Sequence, residues 1–577
     1  MPTRPELVGD LGMVASTHWI ASAVGMGVLE RGGNAADAAV AAGFALQVVE
    51  PHLNGPGGDL PILLWDPAAA AVRVICGQGV APAAATVQAM RSRGVEAIPG
   101  TGLLPAVVPG AFGGWLTLLA GWGTWSLADV LEPAIALAEK GHPLLPTAAS
   151  TINASADRFR REWPTSAAAW LVSGRDRAAG ERVRNPTLAR TYARIIDSAE
   201  VAGGHRENQI EAARRAWYEG FVAEEIDSYC AQQGGLLTGQ DLAGWAAGVE
   251  DPVIGSFGDV SIAKTGPWGQ GPVMLQQLAL LEAAGLGDHE PGSPTWIHLI
   301  TEAAKLAFAD RDAWYGDPAV ADVPLSTLVS TAYATERARL ITAEASSELR
   351  PGSPDGRRPT LPPYLRETVA DVEAGGGEPT LGPPRGDTCH LDVVDANGMM
   401  ISATPSGGWL QSSPTIPELG FCLGSRAQMF ALADGLPNTL RPGVRPRTTL
   451  SPSLALRDGE PWLAFGTPGG DSQDQWSLHV LLNLLHTGDN LQQAIDRPSF
   501  DTAALIDSFH PHGFRPANLR LEGRHPRVVR DELADRGHRL EVTGDWSLGR
   551  VSAVAREGGW LKAGSNARGD QGYAVGR

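Results

Sequence analysis

Residues 385–398 read Arg-Gly-Asp-Thr-Cys-His-Leu-Asp-Val-Val-Asp-Ala-Asn-Gly. The first three close a stretch, 351–387, so rich in Pro and Gly that no hydrophobic period survives. It reads as a flexible linker. The chain beyond Thr388 is of another kind. HLDVVD (390–395), MISATPS (400–406), SPSLALRD (451–458), PWLAFGT (461–467) and LEVTG (540–544) read as short strands, with turn signals such as Asn397-Gly398 between them. A hydroxyl residue at such a boundary suits intramolecular autoproteolysis. The Thr388 hydroxyl can attack the carbonyl of Asp387, and hydrolysis of the resulting ester frees a new N-terminus. Its α-amino group, with a reference pKa of about 8, is partly neutral near physiological pH and can take the hydroxyl proton. Taken alone, a threonine after an aspartate at a junction is usually just a turn or a strand start.

Toward the N-terminus, the stretch 31–59 reads RGGNAADAAVAAGFALQVVEPHLNGPGGD. Asn34 is placed to cap a helix through the adjoining Ala-rich run, and 52–59 is a turn-rich loop. PILLWDP and AVRVICGQG read as two strands joined by a turn. Helices are expected over 112–141 with a break at 121–123, over 205–233, over 272–316, and near 473–487 and 490–497. No internal repeat is visible. Helices gather first and strands later, which favours an α+β layered fold over a βαβ repeat.

The bulk composition narrows the function. The chain has 577 residues, 43% of them hydrophobic, enough for a large buried core. With 46 Lys plus Arg against 64 Asp plus Glu, the net charge is −18, which opposes binding to nucleic acid or anionic membrane. The four cysteines, Cys76, Cys230, Cys389 and Cys422, form no CxxC pair and no metal-ligand spacing. The opening residues carry no basic-then-apolar signal pattern, and the apolar run 35–49 is too short to span a bilayer. The expectation is a soluble cytoplasmic protein with reduced thiols. Gly55-Pro56-Gly57-Gly58 lacks the order and the lysine of a nucleotide loop. Gly466-Thr467-Pro468-Gly469-Gly470-Asp471 lies between a strand and a helix, so its amides suit either an anion or a plain tight turn. His510 and His512 bracket a proline and read as a surface loop. No metal site, cofactor or serine-hydrolase elbow is indicated.

Taken together these segments resemble the γ-glutamyltransferase (glutathione hydrolase) family of N-terminal-nucleophile hydrolases. The resemblance runs through RGGNAADAAVAAGFALQVVEPHLNGPGGD, VPGAFGGWLTLLAGWGTWSLADVLEPAIALAEKGHPL, WYEGFVAEEI, GGLLTGQDLAGW, EAAKLAFADRDAWYGDP, DTCHLDVVDANG, RPRTTLSPSLALRDG and GTPGGD, in that order. It implies a four-layer αββα sandwich and a precursor that cleaves itself between Asp387 and Thr388. Residues 1–387 become a large subunit, 388–577 a small catalytic one, and together they form one domain, with a homodimer of processed units possible. It implies Thr388 as nucleophile, Ser406 as the hydroxyl that orients it, and Gly469-Gly470 as the oxyanion hole. Cys389 could serve as nucleophile instead, but the register against His390 disfavours it.

The substrate pocket departs from the family pattern. The arginine expected to hold the α-carboxylate reads Gln78. The acid expected to hold the α-ammonium reads Met429, in GSRAQMF (424–430), and a cation, Arg426, has appeared nearby. The paired serines read Thr448 and Thr449, and Trp409 could fill the space of a glutamyl chain. An unpaired ammonium in a pocket costs several kcal/mol, whereas Arg426 suits a carboxylate. The SGGWLQSSP segment (406–414) resembles the oxamate amidohydrolase subgroup. The expected substrate is therefore a small carboxylate-bearing amide or oxalyl compound. The alternatives are a genuine glutathione hydrolase or transpeptidase, a C–C bond hydrolase that releases an oxalyl group in a biosynthetic pathway, and an inactive binding relative.

Overall fold

The computed structural model describes residues 2–366, 388–570 and 572–577. Asp387 and the linker residues 367–387 lie outside the described residues. Two seven-stranded antiparallel sheets carry the fold. The first runs Tyr573–Gly576, Gly12–Ser16, Leu391–Asp395, Met400–Ala403, Leu60–Asp66, Ala71–Gly77, Gly248–Glu250. The second runs Leu7–Gly9, Trp560–Ser565, Ser552–Glu557, Glu460–Gly466, Ser453–Arg457, Val260–Lys264, Val253–Phe257. Each sheet takes strands from both sides of Thr388, so the two halves of the chain build both sheets together.

Successive side chains of a strand point to opposite faces, which here means into two different cores. Leu60, Ile62 and Leu64 join a cluster with the helices Ala35–Val49 and Ala111–Trp122. Their neighbours Leu63 and Trp65 face Leu454, Ala464 and Val554 of the second sheet. Leu463 and Phe465, the other face of that sheet, pack on the helices Pro272–Ala283, Pro294–Trp314 and Gln473–His486. The layers are therefore helix, sheet, sheet, helix. The inner strands are buried on both faces and read as near-continuous apolar runs.

Local signals explain the elements next to the site. Asn34 caps Ala35–Val49 with a full capping box to Asp37. All fifteen residues of that helix are buried. Its small side chains let it lie close; a Cβ on Gly43 would come within 2.2 Å of the Trp115 ring. The long helical expectations divide where Gly and Pro break the pattern: Arg206–Tyr218 and Phe221–Gln233 separate at Gly220, and Pro272–Ala283 and Pro294–Trp314 separate across 284–293. The linker expectation needs correction over 351–366. The Gly352 amide donates to Asp310 Oδ1 (2.6 Å), Trp314 Nε1 donates to the Gly352 carbonyl (3.1 Å), and Leu365–Arg366 pairs with Gly513–Phe514. On the 351–366 side these contacts use backbone groups, which leave no hydrophobic period to read. Among the described residues no helix is long and apolar enough to cross a membrane.

Candidate active site

Thr388 stands just ahead of the central strand Leu391–Asp395, and the backbone fixes it from both sides. It forms an antiparallel bridge with Ser406, the Cys389 amide donates to the Pro405 carbonyl (3.0 Å), and the Thr17 amide donates to the His390 carbonyl (3.2 Å). Thr388 Oγ1 lies 3.1 Å from Ser406 Oγ, and both residues are buried. The next side chains along the strand alternate away from this pair. His390 is occupied at both nitrogens, by Thr404 Oγ1 (2.9 Å) and by the Asp392 carboxylate (2.9 Å). It pins the strand and has no free nitrogen to offer Thr388. The Cys389 thiol donates to Glu50 Oε2 (3.0 Å) and accepts from Asn54 Nδ2 (3.1 Å). Burial, with Glu50 beside it, pushes that thiol well above its ordinary range, so a thiolate is disfavoured.

Ser406 leads directly to Arg426. Asp59 and Ser406 exchange both backbone hydrogen bonds, at 2.7 and 3.1 Å. The contact is close enough that a Cβ on Gly58 would lie 2.1 Å from the Ser406 carbonyl oxygen, so the glycine is required there. The Asp59 side chain accepts from Arg426 Nε at 2.6 Å, and both side chains are 2% exposed. Burial raises the Asp59 carboxyl, with Arg426 and the Gly79 amide opposing. Arg426 Nη2 is buried with no partner among the described residues, and Nη1 lies 3.9 Å from Met429 Sδ. Its guanidinium carbon is 5.9 Å from the Trp409 ring centre, and Trp409 donates to the Leu53 carbonyl (2.7 Å). Gln78 flanks Asp59 through Gly79; its Nε2 donates to the Gly79 carbonyl (3.3 Å), while Oε1 is buried and unpartnered among the described residues.

The glycine loop and the threonine pair meet the same region. A Cβ on Gly466, where the loop leaves its strand, would strike the His390 ring at 2.3 Å. Gly469 and Gly470 have φ of +130° and +54°, and among the described residues their amides donate to no backbone acceptor. Gln270 Nε2 donates to the Gly470 carbonyl (3.3 Å), and the neighbouring 268–269 segment holds Thr448, whose amide donates to the Trp268 carbonyl (2.9 Å). Thr449 Oγ1 is buried and unpartnered among the described residues. Thr388, Ser406, Asp59, Arg426 and Trp409 thus form one connected group. Gly470 and Thr448 are both tied to the 268–270 segment, and the glycine loop meets the Thr388 strand where Gly466 abuts His390.

Beneath the glycine loop lies a charge network that the motifs did not indicate. Arg311 donates to Asp471, Asp312 (2.9 Å) and Gln270 (3.0 Å), and Arg447 donates to Asp312 (2.9 Å) and Ser508 (3.0 Å). Burial of Asp471 works to raise its carboxyl, but Arg311 and Arg447 outweigh it and hold it below its ordinary value. Burial and the nearby Arg311 bring Arg447 down to about 10. Arg311 and Asp471 both sit inside family motifs, and neither is marked by spacing. Asp59 carries more signal, because a carboxylate leading into the wholly apolar LPILLW must find a buried partner.

One group of described residues could geometrically hold a metal: His298, Glu302 and His538. Its ligand atoms are already engaged. Glu302 binds Lys305 (2.6 Å) and Arg350 (2.8 Å), and His298 Nδ1 lies 2.9 Å from His538 Nε2. Two cations on the only carboxylate oppose a third.

Comparison with known proteins gives a consistent set of neighbours. The family model described as gamma-glutamyltranspeptidase matches residues 21–576. The glutathione hydrolase-like YwrD proenzyme of Bacillus subtilis is 32% identical, covering 99% of each chain. The oxamate amidohydrolase proenzyme of Klebsiella pneumoniae is 30% identical, again covering 99% of each. The solved structure of LmbA2991HD superposes with a TM-score of 0.94 at 50% identity, covering 100% of both chains.

Proposed function

We propose that this chain, which belongs to the gamma-glutamyltranspeptidase family, is an autoprocessed hydrolase that transfers a small carboxylate-bearing acyl group to water through an ester on Thr388. The acyl group is of the oxalyl type, as in oxamate. Cleavage after Asp387 frees the Thr388 amine as the base for its own hydroxyl. Ser406 Oγ, 3.1 Å away, orients that hydroxyl. The Gly469 and Gly470 amides receive the oxyanion, a contribution of about 3–4 kcal/mol for each well-placed donor. Arg426 Nη2 and Thr449 Oγ1 hold the substrate carboxylate, with Gln78 and Thr448 lining its surroundings.

The observation that carries the substrate reading is Arg426: a buried guanidinium beside the Ser406 loop, with Nε fixed by Asp59 and Nη2 left unpartnered among the described residues. A γ-glutamyl group would bring an ammonium as well. Met429 stands where its acid is expected, and Asp59, the carboxylate beside Ser406, is already bound to Arg426. Meeting the ammonium would mean breaking that pair. The test is a comparison on the purified protein of oxalate release from oxamate with nitroaniline release from γ-glutamyl p-nitroanilide. Turnover of oxamate with little on the anilide supports the reading; the reverse order overturns it.

A further inference from the structure

The carboxylate handle accounts for a very small substrate, yet a much larger space lies next to it. A cavity of about 490 Å³ opens beside Met429 and Arg447. That is the size class of sites for drug-sized ligands. It is mostly apolar, walled by residues such as Leu432, Leu436, Ile506 and Pro362. Met429 is shared between the cavity and the Arg426 group: it lines the cavity, its Sδ lies 3.9 Å from Arg426 Nη1, and it packs with Trp409 and Phe509. Arg447, also in the wall, immediately precedes Thr448 and Thr449.

Two polar groups in this wall lack partners among the described residues. Asp312 gives Oδ1 to Arg311 and Arg447, while Oδ2 is buried and unbonded. The Tyr315 hydroxyl is likewise buried and unbonded. The residues are 8% and 1% exposed. Asp312 lies in the last turn of the helix Pro294–Trp314 and Tyr315 caps that helix, and both line the cavity. A buried acceptor without a donor costs free energy that a ligand can recover.

We infer that this cavity receives the leaving portion of the substrate, and that this portion is an aryl-sized, largely apolar amine carrying a hydrogen-bond donor. The inference rests on the hydrolase reading above. An oxalyl group with its carboxylate on Arg426 has no further atoms to extend, so whatever fills the cavity is attached through the leaving nitrogen. The reaction is the ordinary hydrolysis R–NH–CO–COO⁻ + H₂O → R–NH₂ + ⁻OOC–COO⁻ + H⁺, the proton passing to solvent when the amine is aromatic.

The test has a binding arm and a kinetic arm, using the protein as purified. The binding arm titrates 3-aminophenol, the amine that such a substrate would release, by calorimetry. The variants are Ala433→Trp and Ala97→Trp, at a half-buried and an exposed lining position, and Tyr315→Phe. Each tryptophan is expected to weaken binding about tenfold, the worth of losing one ring's burial. The kinetic arm measures kcat/KM for oxamate and for N-(3-hydroxyphenyl)oxamate. The tryptophan variants should lose about tenfold on the aryl substrate and keep oxamate turnover within about twofold. Equal binding in wild type and variants, or equal kinetic losses on both substrates, overturns the inference. Intact, tryptophan-sensitive binding with no hydrolysis of any oxamate overturns the hydrolase reading and leaves the cavity as an amine site.

Discussion

Replacing Arg426 by leucine removes the cation held 2.6 Å from Asp59 and leaves that carboxylate buried at 2% exposure beside Ser406. Breaking a buried pair from one side costs about 3–5 kcal/mol, whereas replacing both partners together is nearly neutral. Arg426→Leu should therefore be markedly destabilised, and Arg426→Leu with Asp59→Asn should recover most of the loss. The pH dependence has a definite sign. Burial already raises the Asp59 carboxyl, and without Arg426 that rise is less opposed. The folded state then binds the proton more tightly than the unfolded state. Stability is greatest below the unfolded carboxylate pKa of about 3.9 and falls as pH rises toward the folded value. Acidification should narrow the gap between the single and the double variant in denaturant midpoint. Function is read on the double variant, where folding no longer confounds it. Charge-assisted bonds from a guanidinium to a substrate carboxylate are worth about 1.5–3 kcal/mol, which is about 10- to 100-fold in kcat/KM. Oxalate release from oxamate is the assay. A double variant that is stable and keeps kcat/KM within about twofold of wild type would refute Arg426 as the carboxylate anchor.

Other substitutions separate the remaining roles. Ser406→Ala removes the hydroxyl 3.1 Å from Thr388 Oγ1 and should lower kcat about 2- to 10-fold, the worth of one neutral hydrogen bond, with the fold intact by circular dichroism. Cys389→Ser keeps a donor toward Glu50 and should leave self-cleavage and turnover near wild type; loss of cleavage would reopen Cys389 as nucleophile. Gly469→Ala places a Cβ 2.3 Å from the Trp476 ring at φ +130°, so the loop has to shift. The expected cost is about 1–3 kcal/mol of stability, with about a 100-fold fall in kcat from the displaced oxyanion donors. Wild-type kcat in that variant would place the oxyanion elsewhere.

Features carried by local chemistry were legible in the chain. Asn34 ahead of an Ala-rich run gave the capped helix, and the alternating or wholly apolar runs around 60–66, 391–395 and 460–466 gave the sheet strands. Thr388, Ser406 and Gly469-Gly470 were reachable only through the ordered family motifs, because a threonine after a Pro-Gly stretch has no distinguishing chemistry of its own. The Asp59–Arg426 pair joins residues 367 positions apart, and nothing local in either segment announces the other. The same holds for Arg311 and Asp471, which meet across 160 positions. The anchoring of 351–366 escaped the sequence because Gly352 uses its backbone amide and carbonyl, which every residue has, and the side-chain contacts of Leu361 and Tyr364 follow no period.

If Thr388 becomes the N-terminus of a self-generated catalytic chain, a denaturing gel of the purified wild-type protein, with Thr388→Ala alongside and N-terminal sequencing of the bands, will show it. The expected result is a smaller wild-type chain that begins Thr-Cys-His-Leu and an uncleaved Thr388→Ala chain. A wild-type chain that stays whole, a fragment that begins elsewhere, or a Thr388→Ala protein that still cleaves at this bond would contradict it.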